Sequence, residues 1–106
     1  MVIWSEAAKS DLREILYALV TWEKHKPLSL EAARLYIEDI ENAGNSICKL
    51  SYHQNATYES HRVYGNKVHR YKRSASTMWY IIYDWNEVKK IAYVNKIMSN
   101  YLTVGD

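Results

Sequence analysis

The chain has 106 residues, 48% of them hydrophobic and 25% charged, the size and balance of one globular domain with one core, which excludes a disordered chain and a two-domain protein. No apolar run approaches the length a membrane span needs, and the opening Met1-Val2-Ile3-Trp4-Ser5-Glu6 carries no signal-peptide pattern, so a cytoplasmic protein with no membrane partner is expected. The formal net charge of +2 divides unevenly: residues 1–59 hold six Lys/Arg against nine Asp/Glu, and residues 60–106 hold eight against three, which makes the C-terminal part the anion-seeking one.

Val2-Ile3-Trp4 is a short β-prone run that stops at Ser5, a good helix N-cap, with Glu6 placed to meet the first-turn amides. A strand leading directly into a helix is predicted. Ala8, Leu12, Ile15, Leu19 and Trp22 then recur at four- and three-residue steps along one helical face, with Lys9, Asp11, Arg13 and Glu14 off it. Trp22 is assigned to the core. The helix should end near residues 23–25, because Pro27 disfavours helical geometry in the residue before it. Ser29 is the candidate N-cap of a second helix, whose stripe is Ala33, Ile37, Ile40, Gly44, Ile47 and Leu50, with Glu38, Asp39 and Glu41 on the outer face. Two amphipathic helices joined so closely should pair antiparallel and share one apolar surface. The lone Cys48, between Ile47 and Leu50, cannot form an intramolecular disulfide and reads as a packed thiol.

Residues 51–60 are polar and lack a sustained period, which predicts a loop with room for a short turn; 63–67 carry a turn signal around Gly65. Segments 68–74 and 78–85, rich in aromatic and β-branched residues and joined by Ser74-Ala75-Ser76-Thr77, predict a β-hairpin. Asn86-Glu87 marks a second turn, and 89–98 gives the last strand. The predicted order is thus β-α-α-β-β-β in an α+β domain. An antiparallel meander sheet should carry the helical hairpin on one face, with the other face open.

The run His69-Arg70-Tyr71-Lys72-Arg73 stands out because it carries cations on both faces of a strand. A charged strand of this kind is either an edge kept soluble by its charges or an exposed working surface. Basic residues interleaved with aromatics suit a surface that holds phosphates and stacks bases, which makes Lys67, Tyr71 and Tyr80 candidate substrate contacts beside Arg70, Lys72 and Arg73. An acidic protein partner would fit the same composition. His69 adds a group that titrates where a general acid or base is useful. No His, Cys or carboxylate cluster has metal-ligand spacing, and three glycines leave little room for a phosphate loop; no cofactor is expected.

Ile3-Trp4-Ser5 followed by Ala8 and Asp11-Leu12, a helical hairpin, and a strand reading Trp79-Tyr80-Ile81-Ile82-Tyr83 together resemble the RelE/ParE superfamily of toxins from type II bacterial toxin–antitoxin systems. The likeness runs over essentially the whole chain, 1–106, as one domain. It implies a RelE-like fold and neutralisation by a cognate antitoxin protein, whose contacts are expected on the sheet and hairpin side. RelE-like members are metal-independent endoribonucleases that cut mRNA on the ribosome, the RNA's own 2′-hydroxyl attacking the adjacent phosphorus. The resemblance places Arg70 and Lys72 at the family's pair of second-strand lysines, makes Lys96 a further basic contact and matches Tyr101 to a C-terminal tyrosine. His69 or Tyr101 would then transfer protons, with Arg70, Lys72 and Arg73 on phosphate. Tyr80 stands where RelE-like proteins usually carry Arg. His53 and His61 resemble the extra histidines of some family ribonucleases. ParE-like members poison DNA gyrase instead, and a non-catalytic binding module that keeps the fold is the third alternative.

Overall fold

The computed structural model describes residues 1–21 and 26–99. Strand β1 (Val2–Trp4) runs into helix α1 (Glu6–Thr21), followed by α2 (Leu30–Asn45), a 3-10 turn over Ile47–Lys49, a one-turn helix α3 (Glu59–Arg62), and strands β2 (Lys67–Lys72), β3 (Met78–Asn86) and β4 (Ile91–Ser99). Both long helices begin where a serine hydroxyl can accept an orphan amide: Ser5 Oγ accepts from Ala8 N at 3.0 Å and Ser29 Oγ from Ala32 N at 3.1 Å. The second stripe is buried as predicted at Ala33, Ile37, Ile40, Gly44 and Ile47. Trp22 and the predicted end of the first helix lie outside the described residues.

The four strands lie in the order β1-β4-β3-β2. The last three form the expected antiparallel meander, but β1 pairs with β4 in parallel, Val2 against Ala92 and Trp4 against Val94. The sheet is therefore mixed, which corrects the antiparallel expectation. A parallel neighbour needs a crossover, and the two helices between β1 and the meander supply it.

One face of the sheet takes the helices. Ala8 and Ile47 pack on Ile81, Tyr83, Ala92 and Val94, while Ile15, Ile37 and Ile40 pack on Trp79 and Ile97. Gly44 is required where α2 crosses β1: a Cβ there would come within 2.5 Å of the Trp4 ring, whose Nε1 donates to Asn45 Oδ1 at 2.8 Å. The opposite face is not bare. Ala56 from the long connection joins Val68 and Ile82 in a third cluster that also holds Tyr80 and Met98. The polar stretch thus supplies a partial cover, and the short turn expected in it is the one-turn helix α3 at its end.

Asp11 departs from its predicted place off the apolar stripe. It is 5% exposed, Oδ2 accepts from Ile97 N at 3.0 Å, and Oδ1 accepts from Lys96 Nζ at 3.2 Å. β1 stops opposite Val94, so the next stretch of β4 has no strand on that edge, and the Asp11 carboxylate takes up the buried amide that β1 leaves without a partner. Its position, three residues after Ala8 and four before Ile15, is on the buried side of the helix. Apolar periodicity passes over it because its partner is a backbone amide.

Candidate functional site

Strand alternation sorts the basic run. Val68, Arg70 and Lys72 stand on the face away from the helices, opposite Ile82, Tyr80 and Met78 on β3, and Tyr80 in turn lies opposite Met98 on β4. Arg70, Tyr80 and Met98 make one row across three strands. Arg70 and Lys72 are exposed, and among the described residues neither makes an ion pair.

His61, on α3, closes over this row. Its ring centroid is 4.9 Å from that of Tyr80 at 42°, and Tyr58 meets it edge-on at 5.3 Å and 87°. α3 is held against the sheet from its far end. β4 carries a bulge where Ile82 pairs with Lys96 and Tyr83 with Val94, and the extra residue, Asn95, donates through Nδ2 to Tyr64 O at 2.9 Å and Asp84 Oδ2 at 3.1 Å. Gly65 lets the chain pass the sheet at that point, since a Cβ there would sit 2.8 Å from the Tyr83 carbonyl oxygen. Burial, and secondarily the positive charge of Arg70, lower the pKa of His61 below the ordinary histidine value. The imidazole is consequently neutral at physiological pH and able to accept a proton, beside a guanidinium able to meet an anion. Neither ring nitrogen is both sealed from solvent and unpaired.

The remaining predicted site residues lie elsewhere. Lys67, His69 and Tyr71 alternate with Arg70 and Lys72 and so point to the helix side, where Tyr71 packs against the cluster around Trp79. Arg73 turns back to α2: NH1 donates to Asp39 Oδ2 at 2.6 Å and the guanidinium lies 4.4 Å from the Tyr36 ring centroid. Asp39, expected on the outer helix face, is thereby a hairpin anchor. Lys96 is drawn to Asp11, its Nζ 5.2 Å from the Tyr64 ring centroid. Tyr101 lies outside the described residues.

His69 instead joins a second histidine group on the helix side. His53 Nδ1 is 2.6 Å from Tyr83 Oη, and its ring stacks on Trp85 at 3.9 Å and 22°. Burial pushes the pKa of Tyr83 up to about 12, so the phenol keeps its proton, and either partner of the Nδ1–Oη hydrogen bond can donate, according to the His53 tautomer. Burial lowers the pKa of both histidines, with Lys67 acting on His53 and His53 on His69 as the second causes. This pair is built into packing around Tyr83. The His61 row borders an open face.

Among the described residues no three His, Cys, Asp or Glu side chains gather to hold a metal ion, and no helix is long and apolar enough to cross a membrane. Two concavities among the described residues are a groove of about 400 Å³ between α1 and α2, lined by Trp4, Leu12, Leu16 and Ile37 with charged rims, and a polar hollow of about 350 Å³ beside α3. Neither contains the Arg70–Tyr80–His61 row. A polymeric anion can lie across such a face and needs no enclosed pocket.

The resemblance matches His61 to the extra histidines of some family ribonucleases without setting it beside Tyr80. Nothing in the spacing between His61 and Tyr80 announces their contact, because it depends on α3 folding back over the meander. Comparison of the chain with protein-family models, with curated proteins and with solved structures finds no match.

Proposed function

We propose that the chain is a RelE/ParE-type toxin that cleaves mRNA on the ribosome, with the face carrying Arg70, Lys72, Tyr80 and His61 as its working surface. The observation that supports this reading best is the meeting of a buried, neutral histidine with a tyrosine ring tilted against it and, one strand away, an arginine that makes no ion pair among the described residues. His61 accepts the proton of the 2′-hydroxyl as its oxygen bonds to phosphorus, the P–O5′ bond breaks to leave a 2′,3′-cyclic phosphate, and the departing 5′-oxygen takes a proton from water; Arg70 and Lys72 offset the charge that builds on the phosphate oxygens, and Tyr80 presents its ring to a base. A cognate antitoxin would silence the protein by covering this face.

Induced expression followed by primer extension on a cellular mRNA tests the proposal. New 5′ ends are expected, and they should fade about 10²–10⁴-fold in His61→Ala, the usual worth of a general base. His69→Ala, on the other face, should retain them. Growth arrest without new 5′ ends overturns the nuclease reading. Tyr80, in the place where RelE-like proteins carry Arg, favours the ParE-like alternative in that event, and loss of supercoiling by purified gyrase is its test.

A further inference from the structure

We propose that the groove between α1 and α2 is the contact by which two copies of this chain associate, helical layer against helical layer, about a two-fold axis lying along the groove. The groove holds about 400 Å³ and is lined by Trp4, Leu12, Leu16 and Ile37. Ile37 is buried, and Trp4, Leu12 and Leu16 are half-buried. Tyr17, next to Leu16 on the outward side of α1, is 70% exposed. Apolar side chains gathered on an outer face in this way mark a contact surface.

The rims decide what fits. α1 ends at Thr21, and Leu28 N donates back to Leu19 O at 2.9 Å before α2 begins. The two helices therefore run antiparallel, and Glu41 lies at the same end of the groove as Lys9 and Arg13. At that end one wall is basic and the other acidic, and all three side chains are exposed. Lys9 reaches along its own helix to Glu6 at 3.3 Å, whereas among the described residues Arg13 and Glu41 make no ion pair. A foreign segment of a single charge is drawn to one wall and repelled by the other. A second copy carries both signs.

Symmetry then sets the register. A two-fold axis along the groove keeps helix direction and level, and it lays α1 of each copy over α2 of the other. Leu12 and Leu16 of one copy then meet Ile37 of the second. Lys9 and Arg13 meet Glu41 of the second copy, with the exposed Glu38 beside it. Every contact is made twice. The four helices close one apolar layer with complementary charges at its rim, and the two sheets are left on the outside. The dimer uses the helical layer alone and forms whether or not the open face of the sheet cleaves RNA.

Sedimentation equilibrium on the whole chain, at concentrations up to about 1 mM, tests it. The mass should rise from one chain to two. Arg13→Glu sets a carboxylate against Glu41, and Glu41→Arg sets a guanidinium against Arg13. Because symmetry doubles each repulsion, either change should raise the dissociation constant at least about tenfold. The double variant Arg13→Glu/Glu41→Arg should restore association, and so should an equimolar mixture of the two single variants, in which both contacts again join opposite charges. Circular dichroism checks that each variant keeps its fold, which exposed positions allow. A chain that stays monomeric throughout overturns the proposal and leaves the groove to a different partner. A dimer indifferent to the single reversals, or reversals rescued by neither the double variant nor the mixture, overturns it as well.

Discussion

Asp11 ties the helix layer to the sheet through one carboxylate, and replacing it exposes how much of the domain depends on that tie. Its two oxygens serve a buried amide, Ile97 N, and a cation whose side chain is only 12% exposed, the aspartate's own being 7%. At such burial the pair is poorly screened, so removing the carboxylate costs about 3–5 kcal/mol, where breaking an exposed pair would cost about 0–1 kcal/mol. The stranded amide alone would cost about 1–3 kcal/mol. Both losses come from one group, so they overlap instead of adding. Asp11→Ala is expected to lose about 3–5 kcal/mol, a large part of the roughly 5–15 kcal/mol typical of a domain. Asp11→Asn keeps an oxygen for Ile97 N and should lose less. Urea unfolding followed by tryptophan fluorescence measures both, with the slope checked for constancy. A loss below about 1 kcal/mol for Asp11→Ala would refute the reasoning, since that is the range of a solvent-screened pair. Equal losses for Ala and Asn would show that the amide contact contributes nothing.

His53, His61 and His69 all have folded pKa values below the ordinary 6.5, chiefly through burial. The unfolded chain therefore binds more protons just below that pH, and the contribution is complete above 6.5 and lost as pH falls through the folded values. Urea midpoints should fall on acidification from neutrality, by at most about 1.4 kcal/mol per pH unit for each histidine, and a flat profile between about pH 6.5 and 5 would contradict it. Gly65→Ala should destabilise by about 1–3 kcal/mol, because its Cβ meets a backbone carbonyl that cannot swing aside. Gly44→Ala, meeting the Trp4 ring, should cost less than a clash alone implies, since alanine regains about 1 kcal/mol of helix propensity; thermal melts rank the two. If Arg70 and Lys72 each hold a phosphate, their double alanine variant should flatten the salt dependence of single-stranded RNA binding by about 1.4 in logarithmic slope, measured by fluorescence anisotropy.

Element type and order were legible because their signals are local: serine caps at Ser5 and Ser29, four- and three-residue stripes, and aromatic runs broken by small polar residues. The parallel pairing of β1 was not, since direction in a sheet is set by the crossover and no residue pattern within β1 encodes it. Asp11 was placed off the apolar stripe because hydropathy records only apolar partners, whereas it serves a buried amide; Asp39 keeps its place on the outer face and gains an arginine from the hairpin there.

The candidate site shows why a compact motif in sequence need not be compact in space. His69 and Arg70 are adjacent, yet a strand's pleat sends them to opposite faces, and the distance from a proton acceptor to a phosphate cation is set by the fold. On the open face the cations come from alternate positions of β2, so a histidine beside them must come from a different element, and α3 brings His61 there. Tyr80 occupies the intervening position on β3. With Arg70 directly opposite it across the β2–β3 pair, a cation is present one strand away from the place where the resemblance expects one. An aromatic platform flanked by a cation and a neutral imidazole can hold a base, meet a phosphate and take a proton together. The positive charge on this face therefore comes from β2, with Arg70 directly opposite the Tyr80 ring and Lys72 two positions further along the same strand.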